Sequence, residues 1–271
     1  MATHFHALGL RISVVNLSQI KYFARTKLIR TKTDPVDARL IQDFGTRMNP
    51  GIWNPAPEVV QQLKNHLHEL DQLKEMERLE KNRLHALEKH AENTDTLQTL
   101  FKERLALLKT HKKIVEKQFN ALLDDELLKE KVELLIFIPG IGKRTTAFFM
   151  AETSLFMGMT SGRSIAAYAG LSPALKHSGN NTPRARLSKI GNPRLRLATF
   201  MAALGASRTA SPMGDYYRRL RAQGKPGKVA LCALARKLLC VALAIFQSGQ
   251  AYVAEAHQST WPGDSKSAIP G

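Results

Sequence analysis

Leu134-Leu135-Ile136-Phe137-Ile138-Pro139-Gly140-Ile141-Gly142-Lys143-Arg144-Thr145-Thr146-Ala147-Phe148-Phe149 reads as two short apolar helices broken by a proline-glycine turn. The spacing predicts a helix-hairpin-helix. Gly140 and Gly142 let backbone N–H groups approach a phosphate, the start of the second helix adds positive potential, and Lys143 and Arg144 add charge. The same pattern also serves as a tight structural turn between helices.

Downstream of this turn the charge is lopsided. From Thr153 to Ala254 the chain has fifteen Lys or Arg and one acidic residue, Asp215. Most of the net charge of +17 therefore sits in one stretch of a 271-residue chain. So much localised positive charge repels itself unless a polyanion lies alongside, which makes nucleic acid the expected partner. Within it, Ser178-Gly179-Asn180-Asn181 is followed by Arg184, Arg186, Lys189, Arg194 and Arg196. A serine in a Gly/Asn loop flanked by guanidinium groups can set a hydroxyl against a phosphate and stabilise the charge that develops on it. Such a serine is also an ordinary turn residue.

Upstream, the composition predicts two further parts. Leu10-Arg11-Ile12-Ser13-Val14-Val15 is a β-branched run of strand length ended by Asn16. Residues 18–24 read as a helix, and Thr33 is a candidate N-cap for a helix from Asp34 towards Phe44, with Pro35 in its first turn. One strand and two helices do not make a sheet, so this reads as a piece of a larger α/β unit. Asp34 and Asp37 share one face of that first turn, a pairing that suits Mg²⁺, although the helix dipole alone also favours acids there.

Residues 49–57, Asn-Pro-Gly-Ile-Trp-Asn-Pro-Ala-Pro, form a linker. Beyond it Leu63, Leu67, Leu70, Leu73, Met76 and Leu79 recur at three and four residues, the stripe of a long amphipathic helix. A polar break at 92–95 separates it from a second stripe of Leu97, Leu100, Phe101, Leu105, Leu108 and Val115. The two helices predict an antiparallel hairpin or half of an intermolecular coiled coil.

Cys232 and Cys240 lie in an apolar run without ligand spacing, so reduced core residues are expected rather than a disulfide or zinc site. The apolar run 238–246 is too short to cross a bilayer, and no charged-then-apolar leader follows Met1, so no membrane role and a cytoplasmic location are expected. The predicted fold class is mainly α with a small α/β remnant. Its parts are residues 1–50, a linker and coiled-coil helices over 51–131, a helical domain over 132–250 and a disordered tail over 251–271.

The segments at 7–16, 30–40, 138–142, 166–173 and 187–196 together resemble a family of insertion-sequence transposases. In that family the N-terminal domain is RuvC-like with a DEDD carboxylate set, and the C-terminal domain carries the helix-hairpin-helix and a serine. The resemblance implies that Asp34 and Asp37 are the last two metal-binding carboxylates, and that Ser178 is the nucleophile that links to DNA, with Ser172 and Ser188 as alternatives. It also implies Mg²⁺ as cofactor, a guide RNA from the same element, and a homo-oligomer. The family's first Asp and its later Glu have no counterpart between Met1 and Lys32. The resemblance therefore predicts a truncated N-terminal domain and a weak or inactive enzyme. The rival expectations are a nucleic-acid-binding protein without chemistry and, less favoured by the basic half, an oligomerising scaffold.

Overall fold

The computed structural model describes residues 2–90, 95–174 and 186–254, and the chain divides into two compact units at Ala56. Ser178, Arg184 and the expected tail beyond Ala254 lie outside the described residues.

The first unit is helical. α1 (Ala2–Ala7) is followed by α2 (Leu17–Thr26) and α3 (Asp34–Met48). Asn16 caps α2, its side-chain oxygen accepting from the Ser18 N–H at 2.9 Å. α3 starts after Thr33 with proline in its first turn and ends where Asn49 turns left-handed at φ 39°. The strand expected at 10–15 is not there. That segment is irregular, held to residues 50–53 by the Trp53 N–H on the Ile12 carbonyl and by the Ser13 hydroxyl on the Pro50 carbonyl. β-branched residues favour an extended backbone, but a strand needs a neighbour to complete its ladder, and no other described segment of this unit supplies one. The expected α/β remnant is thus an all-helical unit among its described residues. Its buried core is small, Leu40 and Phe44, with Phe23 edge-on to Phe44 at 5.4 Å.

The second unit opens with α4 (Glu58–His90) and α5 (Asp95–Leu123), which pack side by side. Ion pairs from Glu77 to Lys112 and from Glu80 to Arg104 fix them as antiparallel, so the leucine stripes meet within one chain. Only the base of the pair is fully buried. Leu63, Leu67 and Leu70 are at most 1% exposed, whereas Met76 and Leu79 are 51% and 42% exposed. The difference follows from α7 (Lys143–Thr153), which packs on α4.

α6 (Glu126–Ile136) leads through the proline-glycine turn into α7, as the spacing predicted. α8 (Gly162–Tyr168) is started by a reciprocal pair of hydrogen bonds between Ser161 and Ser164. Two short strands, β1 (Pro173–Ala174) and β2 (Arg186–Leu187), pair antiparallel on either side of residues 175–185. Then come α9 (Pro193–Ala206), α10 (Pro212–Ala222) and α11 (Gly227–Ser248). α11 is the core helix of the unit, packing on α6, α8, α9 and α10 through residues such as Leu234, Leu238, Leu239 and Ala242, all fully buried. Among the described residues it is also the one helix long and apolar enough to cross a bilayer, but two thirds of its most apolar window is buried here. Cys240 is buried on it and Cys232 is half-buried; both are free thiols.

Candidate nucleic-acid interface

Gly140 is not open to a ligand. At φ +87°, a Cβ on it would lie 2.6 Å from the Ala202 carbonyl oxygen and from the Ala206 Cβ, so the missing side chain is what lets the turn seat on α9. Gly142, the N-cap of α7, is different, because nothing lies within 4 Å of where its Cβ would be. The side of the turn that faces outward is therefore Gly142 with Lys143, both exposed, at the positive end of α7.

Arg144 and Arg194 meet a carboxylate that the charge pattern did not reveal. Arg144 donates to Asp71 Oδ1 at 2.6 Å and Arg194 donates to Asp71 Oδ2 at 2.9 Å, which ties α7 and α9 to the base of α4. Both guanidinium groups also lie over the Phe148 ring, at 5.6 and 5.5 Å from its centroid. Arg194 reaches the buried Glu152 as well, at 3.2 Å. Glu152 Oε2 accepts from Asn192 Nδ2 at 2.8 Å, while Asn192 Oδ1 caps α9 by accepting from the Arg194 and Leu195 N–H groups. Lys74, beside this cluster, has its pKa lowered by burial and by the charge of Arg144. Arg196 donates to the Ala169 and Lys189 carbonyls and so braces the loop before α9. Three of the arginines singled out in the sequence thus have internal partners that shape the fold. Asp71 and Glu152 were missed because one lies far upstream in the hairpin and the other just before the stretch whose charge stood out.

Lys189 points elsewhere. Its side chain lines an open cavity of about 900 Å³ between β1, β2, α10 and α11, together with other cations that the sequence reading did not assign. Arg186 lies on β2, directly beyond residues 175–185. Across the strand pair the Ser188 N–H donates to the Ser172 carbonyl at 3.0 Å, so both alternative serines sit beside the ladder.

Asp34 and Asp37 are in the first turn of α3, Asp34 exposed and Asp37 half-buried. The remaining carboxylate of the first unit, Asp43, is engaged by Lys27 and Arg47. Among the described residues no three metal-binding side chains gather. Two carboxylates alone do not make a closed protein cage for Mg²⁺, which would need its other ligands from outside the protein.

A pilin gene-inverting protein of Moraxella bovis is 28% identical over 260 residues, covering 94% of this chain and 77% of the relative. An uncharacterised 43.6 kDa protein of insertion element IS110 from Streptomyces coelicolor is 31% identical over 148 residues, 55% of this chain and 36% of the relative. An IS900 protein of Mycobacterium paratuberculosis is 30% identical over 135 residues, 49% of this chain and 34% of the relative. Residues 132–218, from α6 into α10, match the transposase IS116/IS110/IS902 family.

Proposed function

We propose that the protein is an insertion-sequence transposase or recombinase that cuts and rejoins DNA through a serine-phosphate link. The observation that carries this reading is the transposase domain at 132–218 joined to a cationic surface with few internal carboxylates. The inversion of a pilin gene named for the Moraxella relative is a DNA rearrangement of the same class.

In the proposed step the Ser178 hydroxyl oxygen attacks a phosphorus of the DNA backbone. A Ser–O–P bond forms, the bond to one deoxyribose oxygen breaks, and that oxygen leaves as a hydroxyl carrying the proton that serine gave up. The phosphodiester energy stays in the link, so no ATP is needed. Ser178 is four positions beyond Ala174 in the sequence. Lys143, Arg184, Arg186 and Lys189 supply phosphate contacts and stabilise charge on the oxygens in flight. Asp34 and Asp37 would hold a Mg²⁺, which supplies positive charge to phosphate oxygens when bound. A guide RNA from the same element and a homo-oligomer built through the hairpin complete the proposal, with the protein working in the cytoplasm on the bacterial nucleoid.

A binding-only role is the second reading, favoured by the presence of just two unengaged carboxylates in the described part of the first unit. Cells carrying the gene with its native flanking DNA separate the two. The enzyme reading expects covalent protein–DNA adducts that vanish with Ser178→Ala while DNA binding persists; absence of adducts from the unaltered protein would favour the binding-only role.

A further inference from the structure

We infer that the cavity between β1, β2, α10 and α11 is a pocket for one unpaired nucleotide of a nucleic-acid strand, an inference that rests on the nucleic-acid reading above. Five cations line it: Lys189, Lys225, Lys228, Arg236 and Lys237. Among the described residues no carboxylate lines it, and none pairs with Lys189, Lys225, Lys228 or Arg236. By contrast Arg144, Arg194 and Arg218 of this unit are paired with Asp71, Glu152 and Asp215. Arg236 stands out further because its Nε is shielded from solvent and has no acceptor. A shielded N–H without an acceptor costs stability. The start of α11 adds to the field, since its Pro226 cap offers no side-chain oxygen to the first-turn N–H groups.

Charge alone would describe a phosphate patch on any nucleic acid. The walls argue for more. Leu171, Leu187, Val229 and Ala233 line it as well, and Val229 is 52% exposed. A volume of about 900 Å³ accommodates a nucleotide with room to spare. The convex face of a duplex presents phosphates but keeps its bases stacked inside, so it cannot fill a concave pocket with an apolar wall. An unstacked nucleotide does both, its phosphate on the cations and its base or sugar on the wall. The pocket opens beside the strand pair that brackets 175–185, where a strand opened for cutting would lie under the proposed function.

Fluorescence anisotropy with labelled oligothymidylate, oligouridylate and a duplex of the same length tests this on the full chain. Lys228→Gln/Arg236→Gln should weaken single-strand binding about tenfold while duplex binding falls less than about threefold, because two phosphate contacts are lost from the pocket only. The oligomer that loses more, DNA or RNA, identifies the strand. Val229→Ser, which keeps every charge, should weaken single strands about twofold and leave the duplex unchanged. Lys109→Gln/Lys113→Gln on the hairpin removes the same charge elsewhere and should change none of the three. Equal losses on single strand and duplex, no loss at all, or the same loss from the hairpin control would overturn the pocket. If the unaltered protein binds neither form, the nucleic-acid reading beneath it falls as well.

Discussion

Asp71 Oδ1 accepts a hydrogen bond from Arg144 at 2.6 Å, across 73 residues of sequence, and so joins the base of the hairpin to the start of α7. Asp71 holds Arg194 with its other oxygen, so one carboxylate orients both α7, which leaves the glycine turn, and α9, on which the turn seats. Asp71→Ala should lower unfolding free energy by about 1–2 kcal/mol, between the values for exposed and buried ion pairs, because the carboxylate is partly exposed. Urea denaturation measures it. A double-mutant cycle with Arg144→Ala should show coupling, and strict additivity would mean that the bond contributes nothing.

Glu152 is the more demanding partner. It is 6% exposed and carries both Arg194 and the side chain that caps α9. Glu152→Ala takes the acceptor from the half-buried Asn192 amide and leaves Arg194 with Asp71 alone, at a cost of about 2–4 kcal/mol. A melting temperature within experimental error of the unaltered protein would contradict this network.

The two glycines of the turn should behave oppositely. Gly140→Ala meets backbone of α9 in a left-handed conformation and should destabilise by about 2–4 kcal/mol. Gly142→Ala has open space at φ −104° and should leave stability within about 1 kcal/mol. Any loss of nucleic-acid affinity in Gly142→Ala would then report the outward face of the turn, free of a folding defect.

Much of the helical organisation was legible in the sequence, and the reason is periodicity. The stripes of α4 and α5, the start of α3 after Thr33 and the turn at 139–142 are local patterns, readable where they stand. The misreadings required partners far away in sequence. Residues 10–15 have strand composition but no neighbouring strand, so composition misled. Counting charges from Thr153 onward suggested that Arg194 and Arg196 faced outward, yet Asp71, Glu152 and two carbonyls take them up. Conversely Lys225, Lys228, Arg236 and Lys237 look unremarkable in sequence, because only the packing of α10 and β2 against α11 gathers them around one cavity.

The hairpin should weaken in acid. Glu77 accepts from Lys81 on its own helix and from Lys112 on α5, and these hydrogen bonds hold its pKa down to about 2 from 4.5. A depressed carboxylate stabilises the fold above its ordinary pKa, and that contribution is lost as the pH falls from about 4.5 towards 2. Because the pair lies near solvent, Glu77→Gln should cost only about 0.5–1 kcal/mol at neutral pH. The melting temperatures of the variant and the unaltered protein should converge near pH 2; a gap that stays constant across this range would exclude the linkage.

The measurement that reaches the central claim most directly is the salt dependence of nucleic-acid affinity for the full chain. If the cationic half of the second unit meets a phosphate backbone, log affinity falls linearly with log salt, with a slope of about −3 to −6 for four to six phosphate contacts. Lys189→Gln/Lys228→Gln should make that slope shallower by about 1–2. Affinity that is absent at low salt, or that does not change as salt rises, would contradict the account.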